Sequence, residues 1–105
     1  MKRIAFKMQL NKGVEDEYKK RHDNLWPELT VLLKSTGISE YSIFFNETTN
    51  GLFGILKIDN AELLNNLYDD SVMQKWRLYM KDIMESNLDN LPVSIPLKEV
   101  FYLHN

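Results

Sequence analysis

Polar and apolar residues alternate near the start of the chain. Over residues 3–10, Ile4, Phe6, Met8 and Leu10 share one side and Arg3, Ala5, Lys7 and Gln9 the other, the period of a strand. From Val14 the period lengthens: Val14, Tyr18, His22 and Leu25 recur every three or four residues, and Leu29, Leu32 and Leu33 follow before Gly37. That spacing predicts a helix closed by a glycine. Pro27 falls within it, where it cannot donate to the carbonyl of Asp23 and pushes Trp26 out of helical dihedrals. The helix is therefore expected to break at residues 24–26 and to restart at Pro27.

Residues 41–45 and 52–58 are rich in aromatic and branched side chains and flank Asn46-Glu47-Thr48-Thr49-Asn50-Gly51, a run of turn formers. They read as a hairpin. Asn60 is a candidate cap for a helix with Leu63, Leu64 and Leu67, and a longer helix follows with Val72, Met73, Trp76, Tyr79, Met80, Ile83 and Met84 at helical spacing. Residues 86–96, with two asparagines and two prolines, read as a long loop. Residues 97–103 read as the last strand. The order strand, helix, strand, strand, helix, strand is that of a ferredoxin-like α+β sandwich (βαββαβ), with both helices on one face of an antiparallel sheet. Yet both sheet faces are apolar: Ile43 and Phe45 alternate with Phe44, Leu52 and Leu56 with Phe53 and Ile55, and Phe101 with Val100 and Tyr102. Few helices remain to cover the second face, so the pattern predicts a homodimer packed sheet against sheet.

At 105 residues, 44% hydrophobic and 27% charged, the whole of 1–105 is expected to form one globular domain. The formal net charge of −2, with both signs interspersed, offers no field for nucleic acid or an anionic membrane. Lys19-Lys20-Arg21 lies among Glu15, Asp16, Glu17 and Asp23 and reads as a solvated helix face. The absence of cysteine excludes disulfides, thiolate nucleophiles, iron–sulfur clusters and cysteine-based zinc sites, and it suits a reducing cytoplasm. Met1-Lys2-Arg3 is followed by alternation instead of the apolar core of a signal peptide, and no apolar run approaches a membrane span.

The candidate chemistry is narrow. There are two histidines, and His104 lies one residue before the final Asn105, where chains fray. Tyr18, His22 and Trp26 are four apart, which projects Tyr18 and His22 from one helix face with Trp26 beside them at the proline break. From spacing alone, a partly buried aromatic stripe with a hydrogen-bonded histidine outweighs a catalytic role. A metal site is not expected, because one usable histidine would need carboxylate ligands from no recognisable motif. No serine triad context or glycine-rich phosphate loop is evident either. Proton transfer by a single imidazole remains. Trp76 and Arg77 are core packing by default; functionally, an indole can carry the C–H face of a sugar while a guanidinium bonds its hydroxyls. Tyr41 is likewise a strand aromatic or a hydroxyl donor into a cleft.

Together, Tyr18-Lys19-Lys20-Arg21-His22, Leu25-Trp26-Pro27-Glu28-Leu29, Lys75-Trp76 before Tyr79-Met80, Asn87-Leu88-Asp89-Asn90 and Glu99-Val100-Phe101-Tyr102-Leu103 give the chain an end-to-end resemblance to the L-rhamnose mutarotase family. The resemblance implies a dimeric ferredoxin-type sandwich, no metal or organic cofactor, and exchange of the α and β anomers of a six-carbon deoxysugar in the cytoplasm. It implies His22 as proton donor and Tyr18, Tyr41, Trp76 and Arg77 as substrate-binding residues. Where the family usually has a second tryptophan this chain has Arg77, and where it has proline and serine this chain has Leu88 and Leu91. These departures bear on which sugar is preferred. The rival readings are a small cofactor-free monooxygenase or heme-degrading protein on the same fold, and a sugar- or metabolite-binding dimer without catalysis.

Overall fold

The computed structural model describes residues 2–86 and 93–104. Alternation over the first residues forms β1 (Lys2–Gln9), and the three-to-four spacing forms α1 (Glu15–Asp23) and α2 (Pro27–Ser35). The break between the helices falls at the expected place. Asn24 closes α1 through its amide, which donates to the Lys20 carbonyl at 2.9 Å; Trp26 is extended, and its carbonyl accepts from Leu29 and Thr30 to start the next helix. Proline at N1 lacks only an N–H that would have been unpaired anyway. Gly37, at φ 97°, ends α2 in a conformation that side chains disfavour.

The hairpin consists of β2 (Ile38–Asn46) and β3 (Gly51–Ile58). The Asn46 side chain accepts from the backbone N–H of Thr48 and Thr49 and so shapes the turn. β2 begins three residues before the predicted Tyr41, and it carries a bulge between Ile38 and Glu40. Ile38 pairs with Ile58 and Tyr41 with Leu56, so the extra residue brings both an even- and an odd-numbered side chain to the helix-covered face. Strict alternation would have sent one of them outward.

Asn60 accepts from the Glu62 N–H just ahead of α3 (Leu63–Asp69), and Asp70 caps α4 (Ser71–Met80) by accepting from Val72 N–H at 2.8 Å. α4 is shorter than its periodicity suggests. After a 3₁₀ turn at Lys81–Ile83 the chain is drawn to the sheet: Asn11 N–H donates to Ile83, Glu85 N–H donates to Gln9, and Leu10 bridges Met84. The final strand, β4, is Ile95–Leu97, which corrects the expected 97–103. Its register sets Leu97 against Ala5, so continued pairing would place Val100 beside Lys2, where β1 begins. Residues 98–104 leave the sheet without regular structure, tied back by an Arg3–Glu99 ion pair of 2.8 Å and by the Arg3 guanidinium 3.6 Å over the Tyr102 ring. Most of the predicted loop at residues 86–96, including Leu88 and Leu91, lies outside the described residues.

The sheet order β2-β3-β1-β4, antiparallel throughout, is that of a ferredoxin-like α+β sandwich. The buried core divides into two clusters: one gathers Leu10, Tyr18, Leu29, Leu52, Trp76 and Met80, the other Phe6, Ile38, Leu56, Ile58, Leu64 and Leu67. Gly54 has a structural reason. It faces Phe6 across the central strands, and a Cβ there would collide with that ring. The opposite sheet face leaves Phe44 59%, Ile55 42% and Ile95 52% exposed.

Candidate active site

Between the two core clusters lies a cavity of about 530 Å³, within the range of small-molecule sites. Tyr18, His22, Tyr41, Trp76 and Arg77, singled out above, all line it. They arrive from different elements: Tyr18 and His22 from α1, Tyr41 from β2, Trp76 and Arg77 from α4. A second lobe of about 500 Å³, walled by Leu10, Leu25, Leu29 and Leu52, shares Tyr18, His22, Tyr41 and Trp76 with the first. Those four, with the apolar Leu33, Ile43 and Met73, mark the junction of the lobes.

At the junction His22 is held from three sides. The ring stacks on Tyr18 at a centroid distance of 4.3 Å and meets the Trp76 indole edge-on at 5.4 Å. Its Nδ1 lies 3.0 Å from the Tyr18 carbonyl oxygen. A carbonyl can only accept, so this contact assigns the proton to Nδ1 and leaves the Nε2 lone pair for a ligand. Burial lowers the His22 pKa from its ordinary value against the opposing effects of the Tyr18 carbonyl and Asp23. The neutral ring is therefore the form present at pH 7. Burial also pushes the Tyr18 and Tyr41 phenols well above the usual tyrosine range, so both remain hydroxyl donors. The Tyr41 ring meets Phe6 edge-on at 6.0 Å, which orients the side chain on the helix-covered face.

An aromatic and ionic frame stands behind the histidine. Trp26 meets Trp76 edge-on at 5.1 Å, and Tyr79 lies 5.6 Å from both tryptophans. Arg21, beside His22, ties α1 to the end of α4. Its guanidinium donates to both Asp82 carboxylate oxygens at 2.9 and 3.1 Å, to Glu17 at 2.7 Å and to the Tyr79 carbonyl, and it sits 4.4 Å from the Tyr79 ring centroid. The basic cluster read as a solvated face thus holds one side chain with a structural task. Pattern reasoning also missed Asn65 and Tyr68 of α3, which line the cavity. Their sequence signal is slight: a polar residue and a phenol three apart on a short helix, with nothing to say what they face.

Over its whole length the chain is similar to known proteins of one family. Residues 3–103 match the family model described as L-rhamnose mutarotase. The L-rhamnose mutarotase of Formosa agariphila is 54% identical over 98% of this chain and 99% of its own, and that of Bacteroides thetaiotaomicron 52% over the same shares. The crystal structure of the Formosa agariphila L-rhamnose mutarotase superposes with a TM-score of 0.89, at 53% identity and over 99% of this chain and 100% of that one. An antibiotic biosynthesis monooxygenase structure matches at a TM-score of 0.61, but at 8% identity it shares the fold alone, over 93% of this chain and 97% of that one. Whole-chain agreement in sequence and backbone, together with the cavity that gathers Tyr18, His22, Tyr41, Trp76 and Arg77, leads to one conclusion: the chain belongs to the L-rhamnose mutarotase family.

Proposed function

We propose that the chain interconverts the α and β anomers of L-rhamnose at this cavity, with His22 moving the proton. The observation that carries the reading is the state of the imidazole: neutral, its Nδ1 proton committed to the Tyr18 carbonyl and its Nε2 free to face a sugar. Anomer exchange requires a proton to leave the anomeric hydroxyl and one to reach the ring oxygen as the bond from that oxygen to C1 breaks. Both oxygens sit on the same carbon, so one nitrogen can serve both. Nε2 takes the hydroxyl proton, returns it to the ring oxygen, and the open aldehyde forms. Rotation about C1–C2 followed by the reverse steps closes the other anomer.

Tyr18 and Tyr41, kept protonated by burial, donate hydrogen bonds to the sugar, Trp76 carries its C–H face, and Arg77 bonds its hydroxyls. No bound metal or organic cofactor enters this scheme, and the chain acts as one domain over residues 1–105. The working form is a homodimer joined through the outer sheet face, where Phe44, Ile55, Ile95 and Leu97 lie open, as do the apolar tail residues Val100, Phe101 and Leu103. An obligate interface of that kind buries roughly 2,000 Å² or more. Among the described residues no helix is long and apolar enough to cross a membrane, and the reading places the protein in the cytoplasm.

The test is NMR magnetisation transfer between the anomeric signals of L-rhamnose, L-fucose, D-glucose and D-ribose, with and without protein. Catalysed exchange strongest for L-rhamnose is the expected result. Sugar binding with exchange left at the spontaneous rate would instead identify a binding protein. Sedimentation equilibrium at micromolar concentration should show a dimer, and an active monomer throughout that range would remove the interface from the proposal.

A further inference from the structure

The cavity is asymmetric in a way that bears on which sugar it takes. Its lobe under α1 and α2 is walled mostly by leucines, with Glu15 and Lys19 its charged members, whereas the lobe toward α3 carries Asn65, Tyr68 and Arg77. Asn65 and Tyr68 lie three apart on α3, so both look out from one side of the helix at the cavity's lip. The Arg77 guanidinium sits 5.9 Å from the Tyr68 ring centroid, which links the lip to the α4 wall. The Tyr68 phenol adds to the effect of burial in holding the Tyr41 hydroxyl protonated, and burial keeps the Tyr68 hydroxyl protonated against the opposing pull of Arg77. The lip is thus a set of donors with acceptor capacity, on the far side of the junction from the leucine lobe.

On the reading that exchange occurs at His22, a pyranose must present its anomeric and ring oxygens to the junction. The methyl-bearing carbon adjoins the ring oxygen, while the remaining hydroxyls occupy the opposite edge of the ring. We propose that Asn65 and Tyr68 are specificity-determining residues that hydrogen-bond those remote hydroxyls and, with Arg77, select their configuration. The methyl then falls on the side of the leucine lobe, where it is taken out of water.

L-Rhamnose and L-fucose are both 6-deoxysugars and differ in configuration at C2 and C4, so they probe the lip while keeping the methyl constant. Tyr68→Phe retains the ring that Arg77 covers, and Asn65→Leu replaces an exposed residue, so both variants should fold. Each should raise KM for L-rhamnose about 3- to 10-fold, the effect of one lost hydrogen bond to a neutral group, with kcat within about two-fold. The preference for L-rhamnose over L-fucose in kcat/KM should fall in parallel. Unchanged KM and unchanged preference in folded variants would overturn the inference alone, since exchange by the parent would still stand. A fall in kcat without a rise in KM would overturn it too, by placing the lip in the chemistry instead of recognition. A parent protein that binds L-rhamnose by calorimetry yet exchanges neither sugar would defeat the reading of the junction first and this inference with it.

Discussion

Replacing His22 by alanine separates catalysis from folding. The imidazole makes one hydrogen bond to the Tyr18 carbonyl, one stacked contact with Tyr18 and one edge contact with Trp76. Aromatic pairs contribute roughly 0.5–1.5 kcal/mol each and a neutral hydrogen bond about 1 kcal/mol, so truncation costs about 2–4 kcal/mol of stability. Domains are stable by about 5–15 kcal/mol, so the variant should remain folded at 25 °C with a lowered melting temperature. On the proposed role of His22, the expected catalytic loss is larger. Positioned proton transfer contributes about 10² to 10⁴ in rate, which corresponds to roughly 3–5 kcal/mol of barrier. Magnetisation transfer between the anomeric protons of L-rhamnose reads the rate directly, while near-ultraviolet circular dichroism and sedimentation check the fold and the proposed dimer. Free imidazole has room in the vacated site and should restore part of the rate. His22→Asn should resemble His22→Ala, because an amide can bond a hydroxyl without taking its proton. A folded His22→Ala protein that exchanges anomers within a few-fold of the parent would refute the assignment.

Three further outcomes follow from the same geometry. Since burial lowers the His22 pKa below that of the unfolded chain, kcat/KM should fall on the acid side of a midpoint under 6.5; the unfolded chain binds the proton first, so His22's share of stability is full above pH 6.5 and is lost as pH falls through the folded value, measurable by denaturant titration across pH 4.5–7.5. Arg21→Met removes the two-oxygen grip on Asp82 and the Glu17 and Tyr79 contacts; with Asp82 largely in solvent, the cost is about 1–2 kcal/mol in urea unfolding, and the Asp82 carboxyl, now held below the usual carboxylate range, should return toward it by NMR titration. Gly54→Ala drives a methyl into the Phe6 ring and should cost about 1–3 kcal/mol in thermal unfolding while raising KM, because Phe6 carries Tyr41 on its edge; an unshifted melting temperature would show that Phe6 moves aside freely.

The local pattern alone determined the helix break at Pro27, the hairpin around Asn46, the order of strands and helices, and the excess of apolar surface on the sheet. Each depends on near neighbours: a proline without its N–H, a side-chain amide reaching two residues on, a repeat of two or of three to four. Spacing also put Tyr18 and His22 on one helix face, though it could not separate a packed aromatic stripe from a working imidazole. Resemblance at the whole-chain level tipped that balance.

Tertiary structure decided the rest, because the deciding contacts join residues far apart in the chain. The register of β4 against β1 ended the last strand at Leu97, although residues 98–103 read as strand on their own. The bulge before Glu40 gave Ile38 a place in the core that strict alternation would have denied it beside Tyr41. Arg21 reads as one charge among many until Asp82, 61 positions away, comes within 2.9 Å. The division of the core into two clusters, which leaves a cavity where α1, β2, α3 and α4 converge, has no local signature, since an enclosed space belongs to no single segment. For the same reason Asn65 and Tyr68 carry no signal in their own helix, and only the packing of α3 against the sheet turns them toward the histidine's cavity.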